Sequence, residues 1–319
     1  MIIFYIFIFI FSILALYFSS KLLVGSLTKI AQFFGLREFI FAFFVMAFAG
    51  SLPNLFVGIS SIIHGIPSLA LGEIIGGNIV DLTIAIALAA LISKNGLTIK
   101  SRTVQGTAIF TLIIAILPLL LIADHTLSRV DGIILLLTFF IYIAWLFSKQ
   151  ERYTRVFDEA NNQMGIKDVF KNFFMLIIAL ILLFLAAEGV VSSAIFFANT
   201  FNMPLFLIGI LLVGAGNALP ETFFGIQAAR KGDDWMVVGG IMGAVIGAAS
   251  LVLGIVALIS PITLTALDVS LLVIARIFLI IAAISFLLFI RVGNNITKKE
   301  GIFLLIIYLI FVLAQILIV

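Results

Sequence analysis

Apolar residues in this chain come in long runs, each about the length needed to cross a lipid bilayer, and the charge falls mostly between them. Ten runs stand out, at roughly 2–30, 39–63, 68–92, 103–123 and 129–148, then 168–198, 205–229, 235–259, 267–291 and 301–319. The pattern predicts an all-α membrane protein of ten transmembrane helices. The longest polar stretch, Lys149 to Lys171, separates the fifth run from the sixth and is too short to bury a core. No Lys or Arg precedes the first run, so it is expected to be a retained span and not a cleaved signal.

Sliding the chain against itself shows a repeat. At the offset that takes Asn54 to Glu221, Leu52-Pro53 falls on Leu219-Pro220, Phe56 on Phe223 and Gly58-Ile59 on Gly225-Ile226. Gly65, Gly72 and Gly76 meet Gly232, Gly239 and Gly243, and Ala90 to Ser93 meets Ala257 to Ser260 without a gap. Matched Leu and Ile mean little in so apolar a chain; matched Pro and Gly mean much more. The expected organisation is a first five-helix repeat over 1–148, a linker at 149–167 and a second repeat over 168–319. Five is odd, so the second repeat enters the membrane inverted, as the halves of many secondary transporters do.

Composition agrees with the class. The 319 residues are 64% hydrophobic and 10% charged, where a soluble domain carries about a quarter charged residues. Basic residues are segregated. Lys21, Lys29 and Arg37, Lys94, Lys100 and Arg102, and Lys149, Arg152, Arg155, Lys167 and Lys171 belong to the first, third and fifth loops. Arg230 and Lys231 belong to the seventh, and Arg291, Lys298 and Lys299 to the ninth. The even loops hold only Arg129, and Arg276 lies within the ninth run. This asymmetry predicts a cell-membrane protein with both termini outside and the linker cytoplasmic. It is an orientation pattern, not a nucleic-acid patch. With no Cys, thiolate chemistry, Cys-ligated metals and disulfides are excluded. No phosphate loop, zinc pattern or hydrolase triad is apparent, and no nucleotide domain that would serve an ATP-driven pump. The reading is not an enzyme, with no cofactor, and with the bilayer and transported cations as partners.

Candidate chemistry gathers at helix-breaking motifs. Gly50-Ser51-Leu52-Pro53-Asn54 interrupts the second run, and Asn217-Ala218-Leu219-Pro220-Glu221 the seventh. Proline lacks an N–H and displaces the carbonyl one turn earlier, so carbonyls near Ala47 to Gly50, and near Gly214 to Asn217, are expected to be free for a cation. In the third run Gly77, Asn78 and Asp81 share one helical face, and a mid-span carboxylate is costly and usually functional. Gly239, Gly243 and Gly247 recur at four-residue steps and predict close helix packing in the eighth run. Glu73 and Asp268, near run ends, are expected to reach headgroups. Glu188 is expected to pair with Arg276 or sit at the membrane boundary, and His64 and His125 to be solvated loop residues.

With these paired motifs the chain resembles the cation/calcium exchanger superfamily, and most of all its archaeal and bacterial sodium/calcium exchangers. The likeness covers essentially the whole chain. Members have two inverted five-helix repeats, each with a Gly-Thr-Ser-Leu-Pro-Glu break and a Gly-Asn-x-x-Gly-Ser-Asn motif ending in Asn or Asp. The resemblance implies a midplane site between helices two, three, seven and eight, with Ala47, Gly50, Ser51, Asn54, Asn78, Asp81, Gly214, Asn217 and Glu221 as cation ligands. Departures are specific. The first motif Glu is Asn54 here and the second is kept as Glu221; motif hydroxyls are lost at Gly77, Ala218 and Ala244, and the last position is Asp81 in one half but Ala248 in the other. The implied function is secondary antiport of Ca²⁺, or another divalent cation, against Na⁺. A proton-coupled antiporter of the same fold, or a degenerate non-transporting membrane partner, are the alternatives. Counting Asp81 and Glu221 as the only two site carboxylates leads to an expectation of fewer than three Na⁺ per Ca²⁺, two if exchange is electroneutral.

Overall fold

The structure is a computed structural model that describes residues 1–33, 38–99, 102–148 and 166–318, without the side chains of residues 28, 31–33, 38–50, 102 and 166. Ten long helices cover the ten apolar runs: α1 (Ile2–Phe33), α2 (Glu38–Ile63), α3 (Pro67–Ile92), α4 (Arg102–Leu121), α5 (Arg129–Ser148), α6 (Ile166–Phe201), α7 (Leu205–Lys231), α8 (Asp234–Ile259), α9 (Ala266–Val292) and α10 (Lys298–Ile316). The linker expected at 149–167 lies outside the described residues as far as residue 165.

Large apolar side chains face outward on the peripheral helices, among them Phe7, Phe11 and Phe18 of α1, Phe140 of α5, Phe174 of α6 and Leu313 of α10. In water that surface would aggregate; in lipid it is the solvent-facing surface. The chain is a multi-pass membrane protein.

The inverted relation between the halves is visible at the helix ends. Strand β1 (Leu97–Thr98) pairs antiparallel with β4 (Asn295–Ile296), and β2 (Thr126–Leu127) with β3 (Ile262–Thr263). Helix α4 runs from β1 to β2, and α9 from β3 to β4. The two helices pack together and are strapped at opposite ends by two short ladders that the repeat exchanges. In the same way α5 packs on α8 and α10 on α3. At the start of α9 and of α10, Thr265 with Asp268 and Thr297 with Glu300 form matching capping boxes.

Helices α1 and α6 form a layer of their own. Phe9, Ile13 and Leu16 of α1 bury against Ala187, Val190 and Val191 of α6, and the Tyr5 and Phe196 rings stack with centroids 3.8 Å apart. The other core runs through α3, α4, α7, α8, α9 and α10, with α3 and α8 the most buried of the spans.

Pro53 does not break α2, which continues through it; one missing hydrogen bond is not enough to end a helix held on both sides by packing. In α7 the helix does open. Ala218 adopts a turn conformation with φ −80° and ψ −4°, and Pro220 becomes the second residue of the next helical segment, where its missing N–H costs nothing. Three π-helical turns add further irregularity: Asp81–Ala85 in α3, Gly209–Val213 in α7 and Gly247–Val252 in α8. The first and last are counterparts in the repeat.

Candidate functional site

Helices α3 and α7 cross with backbone on backbone. A Cβ on Gly72 would stand 2.5 Å from the Phe206 carbonyl oxygen, and one on Gly76 only 2.0 Å from that of Ile210. From the other side, a Cβ on Gly209 would lie 2.7 Å from the Leu69 carbonyl oxygen, and one on Gly214 would lie 2.6 Å from the Gly77 nitrogen. Small residues therefore let these two helices come closer than any side chain would permit. The close packing expected in α8 is not seen at Gly239 or Gly243 among the described residues; the part of α2 that the repeat sets opposite them lacks described side chains.

Beside this crossing lies a small cavity lined by Asn54 of α2, Glu73, Gly77, Asn78 and Asp81 of α3, Asn217, Ala218 and Glu221 of α7, and Ala244 of α8. Among the described residues its lining has no Lys, Arg or His. Asp81 opens the π-helical turn of α3, and Glu221 sits in the first turn after the break in α7. Both irregularities place a carboxylate beside displaced backbone, a recurring use of π turns and broken helices at functional sites.

The polar atoms are only partly paired. The Asn217 amide nitrogen donates to Asn54 Oδ1 at 2.7 Å and to Glu73 Oε1 at 2.6 Å. Glu73 Oε2, Asn78 Oδ1, Asp81 Oδ1 and Glu221 Oε2 are buried with no hydrogen-bond partner among the described residues. Buried oxygens without donors, three of them on mutually repelling carboxyls, are an unstable arrangement unless a positive charge joins them. Among the described residues no three acidic or His side chains converge as a preformed metal centre would. A site that must release its ion gains from looser convergence.

Of the ligands implied by the sequence, Asn54, Asn78, Asp81, Asn217 and Glu221 line the cavity. Ser51 is buried but does not line it. Gly214 does not line it either: it packs against α3, and its carbonyl accepts the Ala218 N–H at 3.0 Å. Ala47 and Gly50 fall within α2, but their surroundings lie outside the described residues. The motif positions that lost a hydroxyl, Gly77, Ala218 and Ala244, form the apolar part of the wall.

Three expectations need correction. Glu73 does not reach headgroups; it is 1% exposed and faces the cavity. Its spacing, four residues before Gly77 and eight before Asp81, was the available signal, since four-residue steps keep one helical face. Glu188 pairs not with Arg276 but with His64, at 3.1 Å from Nε2, and accepts the Ser60 hydroxyl at 2.5 Å. His64, in the exposed turn after α2, and His125, in a left-handed turn, are loop residues as expected, whereas Asp268 is 7% exposed and caps the start of α9 with Thr265.

The sequence pattern of the family described as sodium/calcium exchanger protein matches this chain twice, over residues 4–148 and 171–317. The chain belongs to that family. By family it is a cation antiporter. Similar relatives include the inner membrane protein YrbG of Escherichia coli, 28% identical over 78% of either chain. The sodium/calcium exchanger MaX1 of Methanosarcina acetivorans is 25% identical over 92% of this chain and 93% of its own. Among solved structures, the sodium-calcium exchanger NCX_Mj soaked with Na⁺ and Sr²⁺ superposes with a TM-score of 0.64 at 26% identity, covering 98% of both chains. The exchanger family thus accounts for the inverted ten-helix architecture.

Proposed function

We propose that this exchanger moves Ca²⁺, or a divalent cation of similar chemistry, in exchange for Na⁺ by alternating access to the cavity between α2, α3, α7 and α8. The observation that carries the reading is the set of four unpartnered buried oxygens on Glu73, Asn78, Asp81 and Glu221 around a cavity with no basic residue. Ca²⁺ prefers six to eight oxygen ligands and tolerates irregular geometry. Carboxylates and carboxamide oxygens are the right donors. The names of MaX1 and NCX_Mj as sodium/calcium exchangers support the same ion pair. Retention of Asp81 and Glu221 at motif positions supports a working transporter over a degenerate partner.

Within this reading the inverted halves supply two mirrored routes to one midplane site, and Na⁺ and the divalent cation compete for the same carboxylates. Segregation of basic residues to the odd loops supports termini outside and the linker in the cytoplasm.

The first experiment adds Ca²⁺, Sr²⁺, Mg²⁺ and Na⁺ singly to detergent-solubilised protein and follows the melting temperature, which a ligand of the folded state raises. Ca²⁺ or Sr²⁺ should stabilise, and Na⁺ should oppose that shift. Glu221→Gln should weaken the divalent effect by about tenfold or more, the loss of one charged ligand in a buried site. Absence of any divalent stabilisation in the unaltered chain, together with no Na⁺-driven Ca²⁺ flux in vesicles, would rule out the reading.

A further inference from the structure

We infer that Glu73 is a third cation-binding carboxylate, and that it carries on α3 the negative charge that Asn54 lacks on α2. The inference rests on the proposed exchange at this cavity and adds a ligand that the exchanger motifs do not assign.

The geometry is specific. One amide nitrogen, Asn217 Nδ2, holds Asn54 Oδ1 at 2.7 Å and Glu73 Oε1 at 2.6 Å, one proton for each. Two acceptors that share one nitrogen are next to each other in space, although they come from different helices. A charge placed at either position would therefore meet nearly the same surroundings. The motif puts a carboxylate on α2, where this chain has Asn54; the structure supplies one beside it, on α3.

Glu73 is also oriented for the role. Its Oε1 is fixed by Asn217, which leaves Oε2 buried, without a donor, in the wall of the cavity. A structural carboxylate in a membrane helix would be expected to have both oxygens satisfied, or a basic partner. Glu73 has neither among the described residues. The α3 backbone keeps it in place, because the Gly72 and Gly76 contacts with α7 lock the turn from which it projects.

The charge count changes with it. Asp81 and Glu221 alone would be balanced by one divalent cation, but three carboxylates leave one negative charge uncovered when that ion is bound. An apolar surround disfavours the remainder, so a monovalent cation must accompany the divalent one, or three must replace it. The electroneutral two-carboxylate scheme does not follow once Glu73 is included.

The test moves the charge. Divalent binding is read from the Ca²⁺ or Sr²⁺ dependence of the melting temperature, for the unaltered protein, Glu73→Gln, Asn54→Glu, and the double variant. Glu73→Gln should weaken divalent binding by about tenfold or more. Asn54→Glu added to Glu73→Gln should restore most of that loss, whereas Asn54→Glu alone should melt lower in the absence of cations, since it places two carboxylates around one amide. Glu73→Gln with unaltered affinity would overturn the inference while leaving the exchange reading intact. A folded double variant as weak as Glu73→Gln would also overturn it. Should Glu73→Gln fail to fold, Glu73→Asp decides: a shortened ligand lowers divalent affinity while Na⁺-free stability stays near normal, and an unchanged affinity counts against the role. If the unaltered protein binds no divalent cation, the exchange reading itself fails first.

Discussion

Replacing Gly76 by Ala would set a Cβ 2.0 Å from the Ile210 carbonyl oxygen and 2.7 Å from the Ile210 carbonyl carbon. Both neighbours are backbone, so no rotamer change can relieve the contact. Helices α3 and α7 would have to separate by about 1 Å or more to reach ordinary carbon–oxygen spacing. Overpacking of this kind costs about 1–3 kcal/mol, and rigid backbone on both sides argues for the upper end. The next residue gives the control. A Cβ on Gly77 would lie 3.6 Å from the Gly214 carbonyl oxygen, an ordinary contact, and Ala is favoured over Gly in a helix by about 0.8–1 kcal/mol. The helix gain is common to both positions, so Gly76→Ala and Gly77→Ala should differ by about 3 kcal/mol in stability, in favour of the second. Thermal unfolding of the detergent-solubilised variants without cations, followed by fluorescence of Trp145 and Trp235, reads this difference directly. If the two variants melted together, the claim that α3 and α7 are joined through their backbones would be wrong.

In the Cys-free chain, single cysteines at the exposed positions Lys94 and Ala123 lie in the third and fourth loops. With an impermeant thiol reagent on intact cells, Ala123→Cys should label and Lys94→Cys should not; the reverse pattern would invert the proposed orientation. His64→Ala removes the ion pair with Glu188, whose two side chains are 29% and 32% exposed, while the Ser60 hydrogen bond to Glu188 remains. A pair this exposed contributes at most about 1 kcal/mol, so the melting temperature should drop far less than for Gly76→Ala, and an equal drop would refute that ranking.

The helices were legible because a bilayer imposes one length on each of them. Every apolar run reappears as a helix, with ends shifted by a few residues, as from 68–92 in the sequence to Pro67–Ile92 in α3. Asn54, Asp81 and Glu221 could be marked as site residues because a Pro break or a mid-span charge is a local signal. Glu73 escaped because its distance from the end of an apolar run says nothing about which helix covers that end. Only the crossing with α7, fixed by Gly209 and Gly214 in the other half, shows that it is enclosed. The Glu188 contacts escaped for a related reason: Ser60 and Glu188 are 128 residues apart, and no periodicity within one helix reports a partner on another. The break expected in α2, which does not form, has a different source. A proline marks where a helix can open, but packing decides whether it does, and here it does so in α7 alone.

The repeat is close to symmetric in fold and far from symmetric in charge. At the repeat offset Glu73 corresponds to Gly240, Asp81 to Ala248 and Glu221 to Asn54, so no carboxylate of the site has an acidic counterpart. All three belong to α3 and α7, the two helices in backbone contact, whereas among the described residues the α2 and α8 sides of the cavity contribute only Asn54 and Ala244. Sliding α3 along α7 would bring Ile74, Ile75 or Asn78 to the crossing in place of a glycine, and the carbonyls at 2.0–2.7 Å from an added Cβ leave no room for that. Like charges held on two helices that cannot slide past each other keep a fixed spacing, and the cost of leaving them unpaired is then the same whichever side of the membrane the cavity faces. In the proposed exchange, access changes around such a pair without changing the ion's main ligands. An exchanger needs that property, because its two cations must compete for one set of charges in both orientations.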